Sequence, residues 1–348
     1  MLNVKFKNSK ELLKVLGTIE NILRKNKEEN KLKYIKLENI NNKLCLFARN
    51  SFMRLSYIIK DTIEIQGNSI LYDFKILSSI LNTLNGDIEI KENIIKNDKC
   101  EYNIPYIDSE GYPEDIIPNI INKKELNTQD FKEAIEDVIA ATSKIEGILS
   151  GIYIDSNKLV SCDQNRIFIK ELEINEPLDN VILSKDLVNE ILKLPFEEKI
   201  YMSILGNNII FEDENLRLIG NFIAGKYPKY EMMLPKEKNY EIIFKKDDLE
   251  NAINLLLPII DTETMNCELQ FKDSKLLINV KNENKKAKTE IIIENTSLED
   301  FEVKFNAKYL LDMLKANKEE IKITTYKDNI GFKFESQKAK QFIMPMIN

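Results

Sequence analysis

The sequence contains no histidine and no tryptophan, and only ten of its 348 residues are glycine. Without histidine the chain lacks the usual general base at neutral pH and the commonest metal ligand. The few glycines form neither a GxGxxG nor a GxxxxGK[ST] pattern, so the standard phosphate-binding loops are excluded. Nothing in the composition supports catalysis, and we expect no catalytic residue, no cofactor and no metal site.

Long apolar runs are also missing, because no stretch approaches the ~18 residues of a membrane helix. Four cysteines are scattered without a CxxC pair, which fits reduced and mostly buried thiols (Cys45, Cys100, Cys162 and Cys267). The basic, amphipathic start lacks the arginine and serine richness of a transit peptide. With 43% hydrophobic and 31% charged residues, the chain predicts a globular, cytoplasmic protein of two or three domains with no membrane partner.

A threefold repeat organises the chain. The segments NSKELLKVL, NTQDFKEAI and KKDDLENAI each place apolar residues at helical spacing, and Leu12, Phe131 and Leu249 follow one another at intervals of 119 and 118 residues. Ser9 and Thr128 are the expected N-caps of the first two of these helices. A second helix recurs in each unit, as FKILSSIL from Phe74, KDLVNEIL from Lys185 and AKYLLDML from Ala307.

Short alternating runs with polar turns follow every predicted helix, for example GIYIDSNKLVSCD and IKITTYKDNIGFKF. Period-two alternation bounded by Asn, Asp and Gly is the signature of antiparallel hairpins. Proline-containing junctions around Pro113 and Pro228 separate the units. The sequence therefore predicts an α+β protein of three repeated domains, 1–122, 123–237 and 238–348, each with two helices packed on antiparallel sheets.

The last eight residues, QFIMPMIN, are unusually apolar for a chain terminus. One explanation is a closing strand of the core. The other is a surface that a second molecule covers, for which the flexible and polarisable side chain of methionine is well suited. The residues themselves favour neither explanation over the other.

Four segments together resemble a known family, and the resemblance covers the whole chain. ILSGIYIDSNKLVSCDQNRIFI, GKYPKYEMMLP, VKFNAKYLLDML and the terminal FIMPM stand in the order and spacing of the bacterial beta sliding clamps, the processivity subunits of the replicative polymerase. The first domain matches less well, since ARNSFMRL replaces the family's usual Ala-Thr-Asp stretch. The resemblance implies a head-to-tail homodimer, in which six similar domains form a ring with twelve helices around duplex DNA.

The resemblance also implies an apolar cleft that binds short linear motifs, with a glutamine and a Leu-Phe pair, from the replicative polymerase, the clamp loader and repair proteins. Carried over position by position, the cleft residues are Leu149, Cys162, Arg166, Ile167, Pro228, Met232, Met233, Tyr309, Asn329, Gly331, Phe342, Met344, Pro345 and Met346. Several positions depart from the family pattern: CDQNR replaces Thr-Asp-Gly-His-Arg, Met232 replaces an arginine, and the chain ends in Ile-Asn instead of Arg-Leu. The predicted cleft is therefore more apolar and less basic than is typical.

The resemblance places duplex DNA and the second subunit on other surfaces. Arg24, Lys25 and Lys185 match basic or DNA-contacting family positions, and they are the predicted DNA contacts. A net charge of −7 argues against binding DNA with the whole surface, but it allows a ring that is basic only inside. The dimer would join the first domain to the third through edge strands near Tyr102 and Ile104 on one side and near Ile259 and Ile260 on the other.

Two other functions stay open from the sequence. The first is a nucleic-acid enzyme that uses magnesium bound by Asp and Glu, although the repeats contain no distinctive set of spaced carboxylates. The second is a clamp-like protein with altered partners, which the unusual cleft favours. The leading hypothesis is a non-catalytic sliding clamp, cytoplasmic and associated with the nucleoid.

Overall fold

The computed structural model describes residues 2–8, 10–24, 31–113, 122–282, 284–293, 300–317, 319–326, 331–336 and 339–346, with only the backbone at positions 11 and 24. The contacts divide the chain into two compact units, Met1–Gln129 with Ser184–Phe222 and Asp130–Leu183 with Ile223–Asn348. The described residues include six α-helices: α1 (Lys10–Arg24), α2 (Phe74–Thr83), α3 (Thr128–Ile139), α4 (Lys185–Lys193), α5 (Lys246–Leu256) and α6 (Ala307–Lys315).

The first unit contains two sheets, and every strand pair in them is antiparallel. The five-stranded sheet has the order β5 (Thr62–Gln66), β1 (Asn3–Lys7), β7 (Asp87–Lys91), β8 (Ile94–Lys96) and β9 (Glu101–Asn103). The eight-stranded sheet has the order β10 (Lys124–Asn127), β15 (Lys199–Leu205), β16 (Asn208–Glu212), β17 (Leu216–Asn221), β4 (Met53–Ile58), β3 (Lys43–Arg49), β2 (Tyr34–Ile40) and β6 (Ser69–Asp73). Pairing of β17 with β4 joins strands that are far apart in sequence into one sheet.

The second unit repeats this arrangement with an eight-stranded and a four-stranded antiparallel sheet. The larger sheet has the order β14 (Val181–Leu183), β11 (Ile152–Asp155), β12 (Lys158–Cys162), β13 (Arg166–Glu171), β25 (Ala339–Ile343), β24 (Phe332–Glu335), β23 (Glu320–Tyr326) and β18 (Lys238–Lys245). The smaller has the order β21 (Lys285–Ile292), β20 (Lys275–Asn282), β19 (Asn266–Lys272) and β22 (Phe301–Asn306). The predicted α+β class with helices and antiparallel sheets is confirmed.

The second helix of each repeat begins where the sequence predicted, because a polar side chain caps it. Asp73 accepts hydrogen bonds from the first-turn amides of α2, Ser184 from that of Leu187 and Asn306 from those of α6. Thr128 is the first residue of α3, and its hydroxyl donates to the backbone carbonyl of Glu197, so its role as an N-cap stays a prediction. Ser9 lies outside the described residues.

Phenylalanine side chains fill the core of the second unit. The ring of Phe332 contacts that of Phe305 at 4.8 Å between centroids, and Phe271 stacks on Phe301 at 4.4 Å. Helix α6 buries one face, which consists of Ala307, Leu310, Met313 and Leu314. Burial of each large apolar side chain contributes roughly 1.5–3 kcal/mol to folding, so this packing holds the sheet that positions the chain terminus. In the described part of the chain, no helix is long and apolar enough to cross a membrane.

Candidate partner-binding cleft

The apolar C-terminal segment has two parts with different environments. Strand β25 lies between β13 and β24, where Phe342 opposes Ile167 and is buried. Beyond the strand, the amide of Met344 donates to the carbonyl of Asn165 at 2.8 Å, and that of Met346 donates to the carbonyl of Lys304 at 2.8 Å. The side chain of Met344 is nevertheless 42% exposed. The segment is thus a core strand up to Ile343 and a tethered, accessible surface after it.

Four of the predicted cleft residues belong to one apolar cluster of the second unit. Cys162, Ile167 and Phe342 are buried in it, and Leu149 packs against it. The cluster also contains residues that were not predicted from the sequence: Ile148, Tyr153, Val160, Ile169, Ile182, Ile223, Tyr227, Tyr230, Leu234 and Tyr326. The tyrosines of the GKYPKYEMMLP segment could have been found, since two aromatic residues beside a predicted apolar cleft favour the same surface.

Tyrosine side chains order this cluster through specific contacts. The rings of Tyr153 and Tyr227 stack at 4.7 Å with an angle of 10° between their planes, and the Tyr227 hydroxyl donates to Cys162 Sγ at 3.4 Å. The Tyr230 hydroxyl donates to Asp155 Oδ2 at 2.6 Å. Burial raises the pKa of the Cys162 thiol and of both hydroxyls, and the bond to Asp155 raises the pKa of Tyr230 further. The cluster therefore carries neutral thiol and phenol groups at physiological pH.

Two exposed methionines follow Tyr230 in a short 3-10 turn, Tyr230–Met233. Met232 is 78% and Met233 is 59% exposed, although both side chains are apolar. Pro228 is also exposed, and its carbonyl accepts the amide of Tyr230 at 2.8 Å. Unbranched, mobile methionines on the surface are typical of sites that adapt to several binding partners.

Arg166, another predicted cleft residue, is buried and engaged on every side. Its Nε donates to Asp163 Oδ2 at 3.0 Å, and its Nη1 donates to Asp312 Oδ2 at 2.9 Å. Its Nη2 donates to the carbonyl of Ala140, immediately after α3. The guanidinium lies over the ring of Tyr309, 4.1 Å from the centroid. The predicted cleft residues Arg166 and Tyr309 therefore contact each other.

Two of the remaining cleft predictions concern the neighbouring loop. Gly331 is buried, and a side chain there would collide with the ring of Phe342, so glycine permits the close approach. Asn329 lies outside the described residues. Pro345 is half-buried, as is Met346.

The predicted dimer residues occupy two kinds of structure. Tyr102 lies in β9, the last strand of its sheet, and Ile104 is buried just after it. The expectation of an edge strand near Ile259 and Ile260 is wrong, because both lie in the turn that follows α5. Pro258 has no amide hydrogen to continue the helix, and the amide of Ile260 folds back to the carbonyls around Leu256. Their role in a dimer stays a prediction.

Lys185, the predicted DNA contact in the second repeat, is the first residue of α4, and its side chain is exposed. Arg24 ends α1, and only its backbone is described. Lys25 lies outside the described residues. The structure therefore leaves the DNA-binding role of these residues as a prediction.

A cavity of about 590 Å³ lies at the other end of β13. Seven carboxylates line it: Asp130, Glu133, Glu171, Glu173, Glu319, Glu320 and Glu335. Its two lysines pair with carboxylates outside the lining, Lys170 with Asp137 and Lys322 with Glu241. Across the described residues, no group of three or more metal-ligating side chains could hold a metal ion. The cavity thus has the wrong charge for a nucleic acid.

Comparisons with known proteins agree on one family. The model of the DNA polymerase III beta subunit central domain matches residues 125–229, and that of its C-terminal domain matches residues 231–347. The Beta sliding clamp of Helicobacter pylori is 29% identical over 305 residues, which cover 81% of this chain and 80% of that protein.

Solved structures show the same fold over the whole chain. The sliding clamp of Bacillus subtilis has a TM-score of 0.90 at 20% identity and covers 100% of this chain and 99% of its own. A Pseudomonas aeruginosa sliding clamp bound to griselimycin has a TM-score of 0.90 at 18% identity, with 100% of both chains covered. The two family models together span well over half of the sequence. The chain therefore belongs to the DNA polymerase III beta subunit family, the bacterial beta sliding clamps.

Proposed function

We propose that this protein is a DNA sliding clamp, which encircles duplex DNA as a homodimer and tethers the replicative polymerase to it. The family match over the central and C-terminal domains is the observation that carries this proposal. The protein acts by binding and has no catalytic activity of its own. It works in the cytoplasm, on the DNA of the nucleoid.

A ring explains how an acidic protein can remain on an acidic polymer. With a net charge of −7, the chain gains little from counterion release except through a few cations such as Lys185. A closed ring does not need that free energy, because duplex DNA can leave it only over an end. Contacts from Arg24, Lys25 and Lys185 to phosphates would then guide loading rather than hold the complex.

Retention on circular DNA tests this mechanism. Loaded by its clamp loader with ATP onto nicked circular DNA, the protein should survive a wash at moderate salt, and linearising the DNA should release it. Neutralising Arg24, Lys25 and Lys185 should slow loading more than it shortens residence on the circle. Equal retention on linear and circular DNA would contradict the tether and indicate an ordinary binding site.

Light scattering tests the dimer. We expect a particle of about 81 kDa, twice the 40.6 kDa of one chain. Ile260 is buried, so a charge there could unfold the domain, whereas Ile259 is only partly buried. Ile259→Glu should give folded monomers, with circular dichroism as the control for folding. A wild-type protein that is monomeric at micromolar concentration would contradict the ring.

The cleft built from Cys162, Ile167, Phe342 and the methionines binds short linear motifs of the polymerase, the clamp loader and repair proteins. Exposed methionines beside a buried aromatic cluster support this role. Two or three inserted side chains contribute roughly 1.5–3 kcal/mol each before ordering costs, so a motif should bind no more tightly than a Kd of roughly micromolar, which corresponds to about −8 kcal/mol.

A further inference from the structure

Strands from neighbouring repeats pair by one rule within the chain. The last strand of a repeat pairs antiparallel with the third strand after the first helix of the preceding repeat, as β17 does with β4 and β25 with β13. The first repeat has no predecessor, and its last strand, β9, ends its sheet; β21, the third strand after α5, ends another. These two edges are therefore the two members of a third junction, which two copies of the chain can complete.

Equivalent turns show which residue of β9 matches which residue of β17. Asn97 and Asp213 each begin a tight turn, and the side chain of each accepts two backbone amides of that turn. In both turns the backbone amide of the first residue also donates to the carbonyl of the fourth. Glu101 and Arg217 come directly after these turns, so they occupy equivalent positions.

The strands on the other side of the junction also begin at equivalent turns. The backbone amide of Asn50 donates to the carbonyl of the first residue of β4 across a two-residue turn. Asn282 lies opposite the first residue of β21 across a turn of the same length. Lys288 is therefore equivalent to Ser56, since each is the fourth residue of its strand.

The observed junctions fix the register. Arg217 lies opposite Ser56 in the pairing of β17 with β4. The pairing of β25 with β13 has the same register when it is counted from its own turns. In that register, β9 and β21 place Glu101 directly opposite Lys288.

The directions of the side chains agree with this register. The Tyr102 hydroxyl hydrogen-bonds with that of Thr83 in α2 at 3.3 Å, so Tyr102 faces the helices and Glu101 faces the opposite side of its sheet. In β21, which packs on α5, Lys288 is exposed and its two neighbours along the strand are half-buried. Opposite residues of an antiparallel pair point to the same face, and a shift of one residue would set a helix-facing residue against Glu101.

The charges of Glu101 and Lys288 are uncompensated within one chain. Glu101 lies opposite Lys96 in its own hairpin, but Lys96 Nζ pairs with Glu89 at 3.5 Å. Lys288 lies opposite the uncharged Asn279. Among the described residues, neither Glu101 nor Lys288 has an ion-pair partner. A contact between them would compensate both charges.

The exposed face of β21 also has an excess of positive charge. Lys286 lies two residues before Lys288 and directly opposite Lys281 of β20, and like charges in that position destabilise a strand pair. The acidic residue of the same face, Glu290, already pairs with Lys275 at 3.0 Å. A carboxylate from outside the hairpin would therefore stabilise this edge.

Apolar side chains beside the same edge are uncovered as well. Ile292 at the end of β21 is 76% exposed, and Leu255 in α5 is 72% exposed. Apolar surface next to an unpaired strand edge is typical of a surface that another protein chain covers.

We propose that β9 of one subunit pairs with β21 of a second copy in this register, and that the ion pair of Glu101 with Lys288 across the subunits selects it. The inference rests on the homodimer of the proposed function and adds the strands, the register and the residues that choose the partner. Because the subunits join head to tail, each ring contains the ion pair twice.

Reversing one charge at a time tests the ion pair, with sedimentation velocity at about 50 mM NaCl as the measure of the dimer Kd. Glu101→Lys and Lys288→Glu should each weaken the dimer at least about tenfold, because like charges then meet at both interfaces. An equimolar mixture of the two variants should dimerise about as tightly as the wild type, since every interface of the mixed ring has one acid opposite one base. A mixture that dimerises no better than its components would overturn the proposal.

Lys286→Glu is the matched control, because it makes the same change on the same face of β21, two residues away and opposite Asn103 in the proposed register. Mixing it with Glu101→Lys should not restore the wild-type Kd. Restoration by Lys286→Glu instead of Lys288→Glu would mean a register shifted by two residues, and the proposal would be wrong. Both positions are exposed, so circular dichroism should show folded variants.

A disulfide tests the register independently of charge. Cys100 is exposed, the other three cysteines are buried, and the proposed register sets Cys100 opposite Thr289. Opposite Cα atoms of an antiparallel pair lie roughly 4.5–5.5 Å apart, which a disulfide can bridge. With oxidised glutathione, Thr289→Cys should give covalent dimers on a non-reducing gel, whereas Ala287→Cys, two residues away, should not. Equal crosslinking of both variants, or a crosslink within one chain, would overturn the proposal.

The circular-DNA assay separates this inference from the proposed function. If the wild type is a dimer that stays on circles but the charge reversals and the disulfide fail, the clamp function stands and the register is wrong. If they succeed but retention fails, the subunits pair as proposed, and the tether mechanism is wrong.

Discussion

Strand β13 begins at Arg166 among aromatic and apolar side chains and ends at Glu171 beside a cavity lined by carboxylates. Both ends belong to the same sheet of the same unit. At the first end, two carboxylates enclose one buried guanidinium. At the second end, Lys340 pairs with Glu171 at 3.1 Å, but both side chains are half-exposed. One continuous strand thus begins beside a compensated ion pair and apolar side chains and ends beside an acidic cavity.

The two ends show that the number of charged residues near a surface does not by itself determine the electrostatic potential that a ligand experiences there. Arg166 contributes to the charge of the sequence, but its buried partners cancel it at the cleft. The carboxylates of the cavity outnumber the nearby cations, so that end keeps a negative potential. The proposed function has an apolar peptide bind at the first end, whereas the negative potential of the second end is unfavourable for DNA and for an acidic peptide.

The largest effect is expected from removing the last five residues, Met344 to Asn348. The apolar end should lose peptide binding almost completely, because the exposed Met344 and the half-buried Pro345 and Met346 are removed with the segment. Strand β25 ends at Ile343 and stays paired on both sides, so the melting temperature should change little. The test is a peptide titration of the truncated protein, with its thermal unfolding as the control for folding. Unfolding of the truncated protein would favour a purely structural role for the terminus.

A second large effect is expected from Arg166→Ala, which leaves Asp163 and Asp312 unpaired. Breaking a buried pair should lower the free energy of unfolding by about 3–5 kcal/mol. Lys340→Ala, at the acidic end of the strand, breaks an exposed pair and should cost about 1 kcal/mol or less. Urea unfolding of both variants measures the difference. Equal losses would contradict the distinction between a compensated and an exposed ion pair.

A smaller effect of opposite sign is expected at the acidic cavity. Glu319→Gln with Glu320→Gln removes two like charges from its lining, so the protein should gain about 0.5 kcal/mol of stability at low salt. The gain should fade as salt rises, and peptide affinity should stay within about twofold of the wild type. A loss of peptide binding would mean that the two ends of β13 are coupled.

The smallest effect concerns thiol chemistry, in a Cys100→Ser background that removes the exposed cysteine. Burial raises the pKa of Cys162, so its thiol should react slowly with maleimide at neutral pH, whereas a cysteine introduced as Glu173→Cys should react quickly. Because the folded pKa lies above the unfolded value, the buried thiol's contribution to stability is present below about pH 9 and is lost as the pH rises. Equal labelling rates would show that the apolar cluster around Cys162 opens readily to solvent.

Much of the fold could be predicted from particular residues. Phe74, Lys185 and Ala307 begin the second helices as expected, because apolar periodicity and a preceding cap are both local signals. The hydrogen bond from the Thr128 hydroxyl to the carbonyl of Glu197 could not be predicted, since that carbonyl comes close only in the folded protein. The family resemblance implied an edge strand near Ile259 and Ile260, but the position of Pro258 and the end of α5 make that segment a turn.

The sequence predicted which residues belong to the candidate site, but it did not predict which side chains surround each of them. The sequence by itself determined the repeat, the helices, the hairpins and the apolar character of the terminus, because each depends on neighbours along the chain. Only the tertiary structure decided that β25 pairs with β13, that Tyr153 and Tyr227 stack, and that Asp312 lies against Arg166. Asp312 and Arg166 are 146 residues apart, and no local pattern encodes such a contact. Their cancellation arises from folding, which removes both charges from water and places them within 3 Å of each other.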